Sequence, residues 1–320
     1  MKWHLLVATF FYGISSYAQS SSGYKNELYQ HLSVLAHDSM EGRETGTPGI
    51  EKAANYIELC FRKMELNPVK GLKTYRQVYK TPYLNAWAFN VMAQLDGEDL
   101  KDEYIVISAH YDHLGIQGTK VYNGADDDGS GTAAVLTLAK RLKALKDAGQ
   151  GPRRSILFVL FSGEEKGLWG SEYFSEHPPV EFKKISCDLN IDMIGRIDTE
   201  RLQKDTLNYV YVVGHNRISS DLKPVLEQVN QTANSLTLDY KFDNPKDPQR
   251  IFYRSDHYNF ARLGVPVLFF YDGMLLGDYH KPTDDIERIQ WELYEKRTDL
   301  IFRLAQEMAN RNEALKRDLK

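Results

Sequence analysis

Five short runs of apolar, β-branched or aromatic residues do most to limit what this chain can fold into: Tyr104 to Ala109, Ile156 to Phe161, Ile185 to Ile191, Tyr209 to Val213 and Val265 to Tyr271. Runs this short and this apolar read as strands buried on both faces, and such strands need helices to cover them. The covering pattern is present. In Ser130 to Leu145 the residues Ala134, Leu138, Leu142 and Leu145 recur at helical spacing, and Trp291 to Asn310 repeats it with Leu293, Leu300, Ile301, Leu304 and Met308. Two more helix-like segments, Lys25 to His37 and Gly49 to Met64, precede the first run, and Ile57, Leu59 and Phe61 of the second are expected to pack on the main body. The expected fold is α/β: a mixed, mostly parallel central sheet flanked by helices. At 320 residues, 42% of them hydrophobic and 26% charged, the chain can bury one sizeable core.

In an open α/β sheet, ligands gather beyond the carboxyl ends of the strands. The residues at those positions here are ionisable. The first run leads into His110, Tyr111, Asp112 and His113; the second ends at Glu164 and Glu165; the third at Asp192; the last is followed, after a loop, by Tyr279 and His280. Between the first run and its helix lie three consecutive acids, Asp126, Asp127 and Asp128, where one would suffice as a helix cap. Carboxylates and imidazoles converging on one sheet edge would repel and desolvate one another unless a cation neutralised them. A donor set of imidazole and carboxylate without thiolate suits zinc, and an acid shared between two ions lets few side chains hold a pair. Of two adjacent glutamates, one can bind metal while the other takes a proton from water. Asp112, two residues past His110, is placed to support that imidazole through its other nitrogen. His113 is a competing ligand, and His257 is read as ordering a loop or helix start.

The ordered motifs are Met-Glu-Gly-Arg43-Glu-Thr-Gly-Thr-Pro-Gly, Ala-His110-Tyr-Asp112-His, Gly-Ala-Asp-Asp127-Asp-Gly-Ser-Gly, Gly-Glu164-Glu165-Lys-Gly-Leu-Trp-Gly-Ser, Asp192-Met, Ser-Asp256-His and Tyr279-His280-Lys-Pro-Thr-Asp-Asp. Together they resemble the co-catalytic di-zinc aminopeptidases, the family of bacterial leucyl aminopeptidases that also includes glutamate carboxypeptidase and glutaminyl cyclase relatives. The resemblance runs from about Asp38 to Asp285. It implies the zinc exopeptidase form of the fold (phosphorylase/hydrolase-like) and two Zn2+ per chain. In that scheme Asp127 bridges the ions, Glu165 and His280 complete one site, and His110 and Asp192 complete the other. It further implies Glu164 as general base, Tyr279 as a donor to the substrate oxyanion, a cis peptide between Asp127 and Asp128, and peptides as substrates; Asp112, through its support of His110, is counted with Glu164 among the catalytic residues.

Three rival activities share these residues. A glutaminyl cyclase would use one zinc, a carboxypeptidase would need a basic group such as Arg196 or Arg254 for the substrate's free carboxylate, and a binding module would keep the fold without the chemistry. A serine hydrolase is excluded on detail, because Ser162 lacks the glycine two residues earlier that a nucleophile elbow requires.

The first residues read as a secretory signal peptide: a lysine, the apolar run Leu5 to Ile14, and small residues ending at Ala18. Even counted through to Ala18 the stretch is about 14 residues, short of the roughly 20 that span a bilayer. Residues 1–18 are therefore expected to be a signal peptide and 19–320 a single zinc-peptidase catalytic domain, exported to the periplasm or secreted, with no stable membrane insertion. A net charge of −4 and the lack of any dense Lys/Arg run exclude nucleic acid as a partner class. Cys60 and Cys187 are too few for a disulfide scaffold and are read as buried free thiols. Two long loops, Arg196 to Asn208 and Asp239 to Arg254, are expected to wall the substrate side, with Phe252, Tyr253, Tyr258, Tyr271 and Met274 as candidates for an apolar pocket.

Overall fold

The computed structural model describes residues 23–319 apart from 203, 204, 206 and 234; the leader-like segment lies outside the described residues. Among the described residues there are eleven strands: β1 (Asn67–Pro68), β2 (Arg76–Lys80), β3 (Trp87–Leu95), β4 (Leu100–His110), β5 (Gly115–Gln117), β6 (Lys120–Tyr122), β7 (Arg154–Phe161), β8 (Ile185–Ile191), β9 (Tyr209–Val213), β10 (Thr237–Asp239) and β11 (Val267–Tyr271). The helices are α1 (Tyr24–Leu35), α2 (Pro48–Lys63), α3 (Gly131–Asp147), α4 (Trp169–Glu176), α5 (Leu222–Thr232), α6 (His257–Ala261) and α7 (Trp291–Asn310).

Nine strands form one sheet in the order β1-β3-β7-β4-β8-β11-β9-β10, with β2 also on β3. The four central strands β7, β4, β8 and β11 run parallel, whereas β3 joins β7, and β9 joins β11, antiparallel. The sheet is therefore mixed, as expected, with its parallel part in the middle. All five apolar runs are strands of it. The two helical periodicities become α3 and α7, which touch each other and cover β4, β7 and β8; α4 and α6 form a second layer over β3, β8 and β11. Pro48 stands in the first turn of α2, where its missing N–H costs nothing.

Strand β3 shows no legible signal in sequence because it carries Asn90 and Gln94 within its apolar residues. Asn90 is fully buried, and its amide donates to the Gln77 side chain at 3.0 Å and to the Gly170 carbonyl at 2.8 Å. Partners from β2 and α4 thus satisfy a polar group that would otherwise bar the segment from a core. Both cysteines are buried and free. Among the described residues no helix is long and apolar enough to cross a membrane.

His31 of α1 gives the fold an acid-sensitive point apart from the ionisable residues at the strand ends. It is 9% exposed and hydrogen-bonds Tyr56 at 2.9 Å, and burial, aided by nearby Lys140, lowers its pKa to about 4. Below about pH 6.5 the unfolded chain takes up a proton that the folded chain refuses, so stability falls with pH from there toward 4, by about 2 kcal/mol at pH 5. Urea midpoints at pH 7 and pH 5 should show His31→Gln losing less stability on acidification than the wild type. Equal losses would refute this account.

Candidate metal centre

Because β7, β4, β8 and β11 are parallel, their carboxyl ends deliver His110, Glu164, Glu165, Asp192 and His280 to one edge of the sheet. Asp127 enters from the connection between β6 and α3. Its Oδ1 lies 3.3 Å from His110 Nε2 and its Oδ2 lies 3.2 Å from His280 Nε2. On the first side His110 Nε2 is 3.5 Å from Asp192 Oδ1 and 3.9 Å from Glu164 Oε2; on the second, His280 Nε2 is 3.0 Å from Glu165 Oε2. The six groups named in the resemblance as ligands or base are thus all brought together. His280 sits at φ +53°, in the left-handed region, and its side chain is 35% exposed against 4% for Asp127, so the cluster opens to solvent on the His280 side.

His113 comes closer than its standing as a mere competitor implied. It is fully buried, with Nδ1 2.7 Å from Glu165 Oε1 and 3.8 Å from Asp127 Oδ2. Ligand-type atoms of His113, Asp127 and Glu165 all lie within 4.8 Å of one another, as do those of His110, Glu164 and Asp192.

The three consecutive acids have three different jobs. Asp128 accepts from the backbone N–H of Gly131 at 2.8 Å and Met193 at 3.1 Å through Oδ1, and from His110 N–H at 3.2 Å through Oδ2. It therefore caps α3 while tying the ends of β4 and β8 together. Asp126 Oδ1 accepts from Gly195 N–H at 2.7 Å and from the Ser130 hydroxyl at 3.1 Å. Only Asp127 faces the histidines. The cis peptide between Asp127 and Asp128 is present. Gly124, at φ +53°, precedes them; a Cβ there would lie 2.2 Å from Asp127 O and 2.5 Å from the His113 ring.

Asp112 supports the site differently from the expectation. His110 Nδ1 hydrogen-bonds the Asp112 backbone carbonyl at 3.2 Å, while the nearest Asp112 carboxylate oxygen is 3.7 Å away. That carboxylate instead accepts from Glu164 N–H at 3.2 Å and from the Thr45 hydroxyl at 3.0 Å, and Thr45 in turn accepts from Gly163 N–H at 2.9 Å. The Arg43 to Thr47 segment, quoted above without a role, thereby sets the turn that carries Glu164. Arg43 is fully buried and donates to the carbonyls of Leu35, Tyr111, Asn123 and Gly124, holding together the segments that flank His110 and Asp127. Asp284, after His280, accepts from the N–H groups of Asp126 and Asp127.

Electrostatics mark the cluster as built for positive charge. Burial opposes protonation of His110, yet Glu164 and Asp192 pull its pKa well above the ordinary value. Burial pushes Asp127 up, but His110 and His280 hold its carboxyl well below the usual range. Glu165 follows the same pattern: burial and Asp127 raise it, His113 and His280 pull it lower. Glu164, dominated by burial, is raised well above the ordinary carboxyl range. Burial also keeps the Tyr279 phenol protonated by pushing its pKa up. Zinc fits these residues, since the donors are nitrogen and carboxylate without thiolate, and the buried Asp127 Oδ2 and Glu165 Oε1 approach His280 and His113 at 3.2 and 2.7 Å without the alignment of a hydrogen bond.

One cavity joins the cluster to its surroundings, lined by His110, Asp127, Glu164, Asp192 and His280 with Met193, Ile251, Arg254, Phe269, Tyr271, Leu275 and Tyr279. Of the five residues expected to form an apolar pocket, only Tyr271 lines it; Phe252 and Tyr253 border a neighbouring depression with Arg217. The 239–254 loop is a wall of the cavity through Ile251 and Arg254. Arg196 works behind the site, paired with Asp278 at 2.5 Å and Asp284 at 3.4 Å. His257 begins α6 as expected, buried and stacked on Phe269 at 4.7 Å.

Known structures share this architecture. The LapA aminopeptidase of Legionella pneumophila superposes with a TM-score of 0.69 over 96% of this chain and 79% of its own, at 22% identity. A zinc aminopeptidase from Bacillus subtilis gives 0.69 over 92% and 98%, at 18%, and a glutaminyl cyclase of Porphyromonas gingivalis gives 0.65 over 88% and 98%, at 19%. In sequence, aminopeptidase YwaD of Bacillus subtilis is 27% identical over 68% of this chain and 44% of its own length. Leupeptin-inactivating enzyme 1 of Streptomyces exfoliatus is 29% identical over 78% and 48%. The chain thus spans about half the length of these two relatives. The model of peptidase family M28 matches residues 90–305, from within β3 to within α7, and with every member of the acidic cluster inside that stretch the chain belongs to this family.

Proposed function

We propose that the protein is a di-zinc aminopeptidase that releases N-terminal residues from peptides. The observation that carries the reading is the division of Asp127, whose two oxygens serve two histidines on opposite sides. One zinc would be held by Asp127, His110 and Asp192, the other by Asp127, Glu165 and His280. When bound, the ions supply Lewis-acid polarisation of the scissile carbonyl and make water acidic enough to deprotonate near neutral pH.

The chain's own residues do the rest. Glu164 accepts the proton of the attacking water and passes it to the leaving amine, so that water adds across the peptide bond with no covalent enzyme intermediate. Asp112 fixes the backbone of Glu164 while its carbonyl holds the His110 ring. Tyr279, which lines the cavity and stacks on His280 at 3.9 Å, donates its hydroxyl proton to the oxyanion of the tetrahedral species. The leader-like first 18 residues support an exported enzyme, periplasmic or secreted, with 19–320 as one catalytic domain.

Hydrolysis of free and N-acetylated aminoacyl-nitroanilides, with zinc counted on the same sample, tests this reading. Cleavage of free-amine substrates alone with about two zincs per chain supports it. One zinc with cyclisation of N-terminal glutamine would make the protein a glutaminyl cyclase. Cleavage that depends on a free C-terminus would make it a carboxypeptidase.

A further inference from the structure

Arg254 stands at the mouth of the cavity, and its partner is unusual for an arginine. Its Nη2 donates to the Tyr279 hydroxyl at 3.2 Å, its guanidinium carbon lies 5.9 Å from the centre of the Tyr279 ring, and among the described residues it makes no ion pair. The other arginine weighed at this edge, Arg196, is committed to two aspartates. Tyr279 is itself stacked on the ring of His280 with an interplanar angle of 19°. Arginine, tyrosine and histidine therefore form a chain that leads from solvent to the second half of the metal cluster.

A phenolic oxygen can accept hydrogen bonds but has one proton to give. With the guanidinium occupying an acceptor position, that proton must point elsewhere. Among the described residues the Tyr279 hydroxyl has no other hydrogen-bond partner, and both side chains line the cavity that holds Glu164 and Asp127. A neighbouring cation also polarises the O–H bond and strengthens it as a donor.

We infer that Arg254 is a positioning residue: by donating to the Tyr279 oxygen it turns the tyrosine's proton toward the cavity, where it meets the oxyanion that develops on the scissile carbonyl. This rests on the aminopeptidase reading and adds to it a role for the guanidinium that differs from anchoring a substrate carboxylate. Two consequences separate the roles. A positioning residue acts on turnover and acts only while Tyr279 keeps its hydroxyl. A carboxylate anchor acts on KM, acts only on substrates that carry a carboxylate, and is indifferent to that hydroxyl.

The test is a double-mutant cycle on the best nitroanilide substrate, which has no carboxylate, using wild type, Arg254→Met, Arg254→Lys, Tyr279→Phe and Arg254→Met/Tyr279→Phe, with zinc content measured for each. Tyr279→Phe is expected to lower kcat about 100-fold, as loss of an oxyanion donor does. Arg254→Met is expected to lower kcat about 10-fold with KM within about twofold, the scale of one hydrogen bond to a charged group. Arg254→Lys should recover part of that loss. In the Tyr279→Phe background Arg254→Met should change kcat no further, and zinc content should be the same throughout. Binding of the matching aminophosphonate, an oxyanion mimic, should weaken about 10-fold in Arg254→Met by calorimetry, while binding of the corresponding amino alcohol stays unchanged.

Losses that multiply in the double variant, or an Arg254→Met protein that differs only in KM, would overturn the positioning role. An active wild type with an indistinguishable Arg254→Met would overturn it too while leaving the aminopeptidase reading intact. A zinc-loaded wild type inert toward every nitroanilide would overturn that reading and the role of Arg254 with it.

Discussion

Glu164→Gln is expected to lower kcat by about 10²- to 10⁴-fold while leaving the zinc content of the protein unchanged. The substitution keeps the size of the side chain and the N–H by which Asp112 holds the turn, and removes only the capacity to accept a proton. At 1.36 kcal/mol per factor of ten, the loss corresponds to roughly 3–5 kcal/mol of transition-state stabilisation. Metal analysis beside the kinetics is essential, because Glu164 lies 3.9 Å from His110 and within ligand distance of Asp192. A Gln variant that stays active sinks the assignment of the base. A variant that loses zinc would instead make Glu164 a ligand and hand proton transfer to another group.

Asp127→Ala should be the most damaging single change at the site. It takes one oxygen from each of the two histidine sides at once, so zinc should fall from about two per chain to less than one, and activity should fall below detection. Zinc binding to the folded state raises stability by RT ln(1 + [L]/Kd), about 4 kcal/mol at a thousandfold excess over Kd. Thermal melts with and without added zinc should show that increment in the wild type and lose it in Asp127→Ala. A variant that still binds two ions and melts higher in zinc would show that Asp127 is not shared between them.

Much of this site was legible because its chemistry is local to strand ends. His110 and Asp192 follow directly on an apolar run, and Glu164 and Glu165 follow within four residues, so the run that identifies the strand also places the donor on the carboxyl edge of the sheet. His280 was harder. It lies nine residues beyond β11, and nothing in its neighbours' periodicity shows that the chain turns back through a left-handed residue to face Asp127. Its place after the last apolar run put it at the edge, the resemblance paired it with Glu165 and Asp127, and the geometry brings it within 3.2 Å of the shared carboxylate.

Sequence by itself determined the quantities that depend on near neighbours: the five apolar runs that could only be buried strands, the helical periodicities of α3 and α7, and a supply of imidazole and carboxylate donors at one edge. Tertiary structure decided which polar group meets which. It assigned Asp126 and Asp128 to backbone N–H groups and left Asp127 for the histidines, and it committed Arg196 to aspartates while leaving Arg254 to Tyr279. It also admitted β3 to the core by giving Asn90 partners from β2 and α4. The reason is physical. A buried polar group must find its partner wherever the fold supplies one, and here Asp126 finds Asp284 at a separation of 158 residues, beyond the reach of any local pattern.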